Sequence, residues 1–464
     1  MRLFGTDGVR GVANADLTPE LAFRLGRASA LVLAEHAAVA TGGPADRSRA
    51  IVVGRDTRLS GPMLEAALVA GVASSGFDAR VVGVIPTPGV ARIVAATTAF
   101  AGAMISASHN PIGDNGIKFF AHDGTKLDDA QEDAIESATL REDLPRPTHA
   151  EIGTVRAAPE LVSLYERSLL EDAPSLASLT VVVDAAYGAA FELAPRIFAR
   201  LGARVVAMHA EDDGSRINVA CGSTDLSTLR ARVRDLARAE PGSRIVGVAF
   251  DGDADRALFV DETGGAIDGD RVMMILARER KRAGKPASDA VVGTVMSNLG
   301  LERALAEDGI ALVRADVGDR YVLERMRAGG LRFGGEQSGH IIDLDRNTTG
   351  DGAMTAIALF GTLARSGARL HDLASRLRTV PQVLVNVRTT RRDVLESDAV
   401  RASIQRARER LGGRGRILVR ASGTEPLLRV MVEGDDGELV DRLASDVAAA
   451  IRAEATVAAV ASRP

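Results

Sequence analysis

At 464 residues, 46% of them hydrophobic, the chain has length for roughly three domains of ~150 residues and enough apolar material for cores without staples. Aromatics are only 3% and the charges, net -5, are mixed along the chain, which argues against stacking platforms for single strands and against a basic nucleic-acid face. Cys221 stands alone, so an intramolecular disulfide is excluded, as suits a reducing cytosol.

The opening Met1-Arg2-Leu3-Phe4-Gly5-Thr6-Asp7-Gly8 lacks the apolar stretch of a signal peptide, and no uninterrupted apolar run is long enough to span a bilayer. The expectation is a cytoplasmic protein with a small-molecule substrate and neither nucleic acid nor membrane as partner. Ile51-Val52-Val53 reads as a strand, and Ser60-Gly61-Pro62 opens a helix to about 75, with the serine as cap. Residues 81–85 form a second strand, followed by a Pro-Thr-Pro turn and another helix. Residues 103–105 form a third strand that runs into a polar loop.

The theme recurs with strands at 180–183 and 204–206 around a helix at 188–201, and a strand at 245–250 that ends in an acidic loop. It recurs again with a strand at 290–293, a helix at 299–307 and a strand at 310–313. Such alternation predicts α/β units with largely parallel sheets. The last part differs, with strands at 383–387, 416–419 and 428–432 and helices at 398–411 and 438–451, a smaller α+β unit. Linkers at 144–148, 262–265 and 375–381 divide the chain into 1–150, 151–262, 263–375 and 376–464. The predicted fold is three similar α/β domains with mixed, largely parallel sheets plus a smaller C-terminal α+β domain.

Four segments carry chemistry. In Asp251-Gly252-Asp253-Ala254-Asp255-Arg256 the aspartates alternate, so they share a face on a strand or converge in a loop. Carboxylates ~5 Å apart repel by roughly 3 kcal/mol per pair at an effective dielectric of ~20, which calls for a cation. Oxygen ligands alone favour Mg²⁺, Ca²⁺ or Mn²⁺. A calcium loop of the EF-hand type needs Gly at its sixth position, where this chain has Arg256. A solvated acidic turn is the plain alternative, but the position after an apolar strand is where sites form in α/β folds.

In Ile105-Ser106-Ala107-Ser108-His109-Asn110-Pro111 a strand ends in a hydroxyl, an imidazole and an amide. Ser108 is a candidate nucleophile without the Gly-x-Ser-x-Gly elbow of esterases. If the strand continued, His109 would face away from it and be a poor direct base. An ordinary turn is the alternative. Arg420-Ala421-Ser422-Gly423-Thr424-Glu425-Pro426, with Arg429 beyond, suits a phosphate through hydroxyls, backbone N–H groups and guanidiniums, or is a polar hairpin turn. Gly334-Gly335-Glu336-Gln337-Ser338-Gly339-His340 suits sugar hydroxyls, or is a glycine-rich turn.

These segments and their order resemble the α-D-phosphohexomutase superfamily along nearly the whole chain. The similarity is greatest to its branch that acts on glucosamine phosphates, through Phe4-Gly5-Thr6-Asp7-Gly8-Val9-Arg10-Gly11, Val317-Gly318-Asp319-Arg320-Tyr321-Val322 and Gln337. The resemblance implies four domains around a central cleft, and a homodimer. It makes Ser108 the phosphoserine, and it gives Asp251, Asp253 and Asp255 one Mg²⁺ together with the Ser108 phosphate. Arg256 would touch that phosphate, and Glu336 and Ser338 the sugar hydroxyls. Arg420, Ser422, Gly423, Thr424 and Arg429 would hold the non-reacting phosphate. Lys118 and His340 are implied for proton transfer, which requires a lowered pKa, and Arg10 and His109 would face the cleft. The implied reaction interconverts glucosamine 6-phosphate and glucosamine 1-phosphate through a 1,6-bisphosphate. Glucose or mannose phosphates under the same mechanism are the nearest alternative, and a Mg²⁺ phosphatase the next.

Overall fold

Runs such as Ala50–Arg55, Ala101–Ile105 and Thr180–Asp184 carry apolar residues at successive positions, the pattern of strands covered on both faces. A computed structural model describes residues 3–5, 7–41, 49–421 and 426–461. By packing, residues 1–294 and 313–375 form one unit, and 295–312 and 376–464 a second.

In the first unit, a seven-stranded sheet runs in the order Phe4–Gly5, Gly8–Val12, Asp114–Ala121, Ala101–Ile105, Ala50–Arg55, Asp78–Val84, Val155–Ala157. Its last four strands are parallel and the first three antiparallel. The period-two alternation of side chains gives it two cores. Ile51, Val53, Ala103, Ile105, Ile117 and Phe119 pack with Leu25, Leu64 and Leu68 of the helices Pro19–Thr41 and Gly61–Ser74. Val52, Met104 and Phe120 point the other way, onto Val90 and Val94 of the helix Thr87–Ala95.

A five-stranded sheet follows, ordered Ala266–Ile267, Ala257–Val260, Ile245–Phe250, Thr180–Asp184, Arg204–Met208, with the last three parallel. A four-stranded sheet orders Ala311–Ala315, Ala290–Thr294, Phe333–Gly335, Ile341–Asp343. The second unit holds an antiparallel sheet of Gln382–Arg388, Leu427–Gly434 and Gly415–Ala421. The helices Asp398–Leu411 and Gly437–Ala461 cover it through Val400, Leu411, Leu443 and Val447. The mixed, largely parallel α/β sheets and the smaller α+β unit are those the alternation predicted.

Two local expectations fail. Ser60 does not cap its helix, because its own backbone is helical and its hydroxyl instead accepts from Asn115 Nδ2 at 2.9 Å. The helix expected over 188–201 is only Leu193–Arg200. Ala186 and Tyr187 take left-handed backbone conformations, and Asp184 Oδ1 accepts the Ala186 N–H at 3.0 Å, so the chain leaves the strand through a tight turn before helix can form.

Candidate active site

The site stands on three strand ends of the first unit. Ala101–Ile105 delivers the serine loop, Ile245–Phe250 the aspartate loop, and the hairpin of Phe333–Gly335 and Ile341–Asp343 carries Glu336, Ser338 and His340 in its connection. Loops at the carboxyl ends of parallel strands are where α/β sheets open crevices.

Ser108 is buried, and its Oγ–H donates to Asp251 Oδ2 at 2.6 Å. Its φ of 53° takes the chain off the strand path at this residue. The expectation that His109 faces away is therefore corrected, since its Nδ1 lies 3.3 Å from the Ser108 hydroxyl. Partial burial, then the guanidiniums of Arg256 and Arg10, push the His109 imidazole down to about 4. The loop is held from beneath by Arg58, which is fully buried. Its Nε binds Asp56 Oδ2 at 3.1 Å, and its other four N–H groups reach the carbonyls of Ser108 (2.9 Å), Asn110 (2.8 Å), Pro111 (2.5 Å) and Asp114 (2.9 Å). Ser106 Oγ donates to Asp56 at 2.6 Å and accepts the Ser108 N–H at 2.9 Å.

Asp251, Asp253 and Asp255 are buried, with an oxygen from each within 4.8 Å of the others. A left-handed Ala254, φ 56°, lets the loop fold back so that they converge. Burial, then the Asp255 and Asp253 charges, hold the Asp251 carboxyl well above the usual range. Burial also acts to raise Asp255, but His340 and Lys118 outweigh it and hold it low. One oxygen of Asp253 and one of Asp255 are buried without a hydrogen-bond donor among the described residues. Three crowded carboxylates, two of them with an orphaned oxygen, fit a hard divalent cation and are positioned to hold Mg²⁺.

The surrounding charges alternate. Lys118 Nζ lies 2.7 Å from Asp253 and 2.9 Å from Asp7, and Lys126 pairs with Asp7 at 2.6 Å and with Asp319. Arg10 joins Asp7 and donates to Asn110 Oδ1 at 3.2 Å. His340 Nδ1 is 3.5 Å from Asp255, while its Nε2 accepts the Gly350 N–H at 3.1 Å, which places the ring proton on Nδ1. The lowered pKa expected for Lys118 or His340 is not found. Burial does lower both, but Asp253 and Asp7 around Lys118, and Asp255 and Asp319 around His340, raise them by more.

The Arg256 guanidinium flanks Asp255 at 3.9 Å, and the Arg256 backbone N–H donates to Asp251 Oδ1 at 3.2 Å. Glu336 Oε1 accepts the Gly318 N–H at 3.0 Å, and the buried Ser338 hydroxyl has no partner among the described residues. Ser108, His109, Arg10, Lys118, the three aspartates and Arg256 are thus joined in one network, to which Asp255 links His340. In the second unit, Arg420 and Arg429 stand directly opposite each other on paired strands. Ser422, Gly423 and Thr424 lie outside the described residues.

Sequence reasoning missed Asp56, Arg58 and Lys126. Arg55-Asp56-Thr57-Arg58 follows an apolar strand just as the aspartate loop does, and that placement was the available signal. Lys126 sits in an unremarkable loop, and nothing local marks it.

Four domain families of phosphoglucomutase/phosphomannomutase match the chain: α/β/α domain I over residues 1–146, domain II over 163–265, domain III over 268–380 and the C-terminal domain over 384–450. A phosphoglucosamine mutase of Symbiobacterium thermophilum is 50% identical over 457 residues, 98% of this chain and 99% of that protein. One of Frankia alni is 51% identical over 97% of this chain and 98% of that protein. The crystal structure of a phosphoglucomutase/phosphomannomutase family protein from Burkholderia thailandensis superposes with a TM-score of 0.81 at 26% identity, covering 98% of this chain and 97% of that one. With all four domains in order and half its residues shared with such relatives end to end, the chain belongs to the phosphoglucomutase/phosphomannomutase family, in its phosphoglucosamine mutase branch.

Proposed function

We propose that the protein interconverts glucosamine 6-phosphate and glucosamine 1-phosphate, carrying the transferable phosphoryl group on Ser108. The observation that carries this reading is the buried Ser108 hydroxyl, 2.6 Å from Asp251 within a cluster of three carboxylates.

In the forward half, the free sugar hydroxyl attacks phosphoserine 108, the phosphorus–Oγ bond breaks, and a 1,6-bisphosphate forms. The bisphosphate turns around, Ser108 Oγ loses its proton and attacks the other phosphorus, the bond from that phosphorus to the sugar oxygen breaks, and the oxygen takes up a proton as the monophosphate product leaves. Transfer of this kind has a loose, charge-spread transition state, so positioning and cationic clamping supply most of the rate. Mg²⁺, held by Asp251, Asp253 and Asp255, would neutralise charge on the phosphoryl oxygens. Arg58 fixes the Ser108 backbone, Arg256 and Arg10 offer guanidiniums toward the phosphoryl group, and Glu336 with Ser338 orients sugar hydroxyls. Lys118 and His340 are the groups able to hold the proton of the attacking hydroxyl. In the ion-free chain the carboxylates of Asp253 and Asp7 keep Lys118 charged, so it holds a proton beside the reacting group. Arg420, Ser422, Gly423, Thr424 and Arg429 would grip the phosphate that does not react. The four segments 1–150, 151–262, 263–375 and 376–464 would then supply phosphoserine, metal, sugar and phosphate loops in turn.

The test is a coupled assay on glucosamine, glucose and mannose 6-phosphates, with and without catalytic sugar 1,6-bisphosphate, while inorganic phosphate is followed. Preferred turnover of the glucosamine ester, primed by bisphosphate, is expected. Inorganic phosphate as the main product would overturn the mutase reading, and preference for glucose or mannose would overturn the substrate assignment.

A further inference from the structure

Outside the site described, three side chains of different chemistry converge on one point. Asp184 ends the strand Thr180–Asp184, His209 directly follows the neighbouring parallel strand Arg204–Met208, and Cys221 precedes the turn Gly222–Thr224. A ligand-type atom from each lies within 4.8 Å of the other two. Asp184 and Cys221 are fully buried, and the His209 side chain is 20% exposed. His209 Nδ1 is 3.0 Å from Asp184 Oδ1, yet this buried nitrogen is not aligned for a hydrogen bond with any group among the described residues. The carboxylate itself is braced, with Oδ1 accepting the Ala186 N–H at 3.0 Å and Oδ2 the Gly222 N–H at 2.9 Å. Backbone N–H groups that brace a ligand in this way are the usual outer support of a metal site.

A sulfur, an imidazole nitrogen and a carboxylate oxygen form a donor set for a borderline-soft divalent ion, whereas Mg²⁺ takes oxygen. We propose that Asp184, His209 and Cys221 form a second metal site, selective for a thiophilic divalent cation of the Zn²⁺ class. The partly exposed His209 is its entrance, and three protein ligands leave a fourth position for water. On binding, a metal–sulfur bond replaces the Cys221 S–H bond and the proton leaves to solvent. The set shares no residue with Asp251, Asp253 and Asp255. A Cys-His-Asp nucleophilic relay would need an accessible sulfur, and Cys221 has none of its surface exposed. In the metal-free chain His209 and Asp184 form an ion pair at 3.0 Å, and a bound cation would take the place of the shared proton.

The frame of the site reaches the reaction centre. Ala186, Tyr187, His209, Asn218 and Ala220, all non-glycine, hold left-handed backbone conformations here. Within that frame Asn218 Nδ2 donates to the Ser108 carbonyl at 2.9 Å. An ion at Asp184, His209 and Cys221 therefore stiffens the loop that steadies the phosphoserine.

The full-length protein, stripped by chelator and kept in excess Mg²⁺, is titrated with Co²⁺ and then Zn²⁺. One Co²⁺ per chain is expected, with thiolate-to-cobalt charge-transfer absorption that Zn²⁺ abolishes and Mg²⁺ does not. His209→Gln and Cys221→Ser should each weaken retention by more than the ~10- to 100-fold that losing an outer support costs. An Asp251→Asn/Asp253→Asn chain should keep the band. Absence of the band in the folded protein, its persistence in both ligand variants, or its loss in the double Asn chain overturns the proposal. Should the Cys221→Ser chain misfold, His209→Gln, at a partly exposed position, decides alone.

Discussion

Ser108 and the charges around it set the sharpest expectations. Ser108→Ala removes the atom that carries the phosphoryl group, so turnover should fall by about 10³-fold or more while substrate still binds. The coupled assay and intact-mass detection of bound phosphate check both halves. Arg58 is a different case, since it touches no reacting atom and spends all five donors on Asp56 and four loop carbonyls. Arg58→Met removes the guanidinium that pairs with buried Asp56, which keeps only its Ser106 and backbone N–H donors, and costs about 3–5 kcal/mol. Urea unfolding should show that loss. Asp251 gives a pH dependence with a definite sign. Its folded carboxyl is held above the unfolded value by burial, Asp255 and Asp253. Its contribution to stability is therefore present below the ordinary carboxylate pKa and lost as pH rises through the raised one. The ion-free protein should lose stability as pH climbs from mildly acidic values, by thermal melts in chelator. Mg²⁺ binding needs the ionised form and should release protons, seen by calorimetry in buffers of different ionisation heat.

At the scale of elements, the serine and aspartate loops meet so closely that one residue regulates their spacing. A Cβ added to Gly252 would stand 2.6 Å from the Ser108 carbonyl oxygen, a backbone atom that cannot swing aside. Gly252→Ala should cost about 1–3 kcal/mol and, by displacing the loops, about 10²-fold in turnover. Melting and kinetics on the same preparation test it. The same contact shows what the sequence made legible. Apolar runs at 50–55, 101–105, 180–184 and 245–250 read as strands because both their faces are covered. Partner strands such as Gly8–Val12 and Asp114–Ala121 did not, because polar and glycine residues break their pattern and only pairing makes them strands. The aspartate loop was legible because three carboxylates in five residues demand an explanation. Arg58 was not, because its meaning lies in carbonyls fifty or more residues away.

For the whole molecule, the triad couples ion binding to folding. Mg²⁺ at 100 times its Kd should stabilise the native chain by about 2.7 kcal/mol, and Asp253→Asn should shrink the melting shift on Mg²⁺ addition. If the shift survives intact in Asp253→Asn, the triad does not hold the ion. The sequence by itself determined the fold class, the smaller last unit, the serine and aspartate loops and the kind of cation, since periodicity and charge crowding are local properties. Only the tertiary structure decided that Asp251 and Ser108 touch, that Arg58 holds their loop, that carboxylates keep Lys118 charged, and that Asp184, His209 and Cys221 share a point. Distance between remote residues follows from sheet order and backbone turns, which no local pattern encodes.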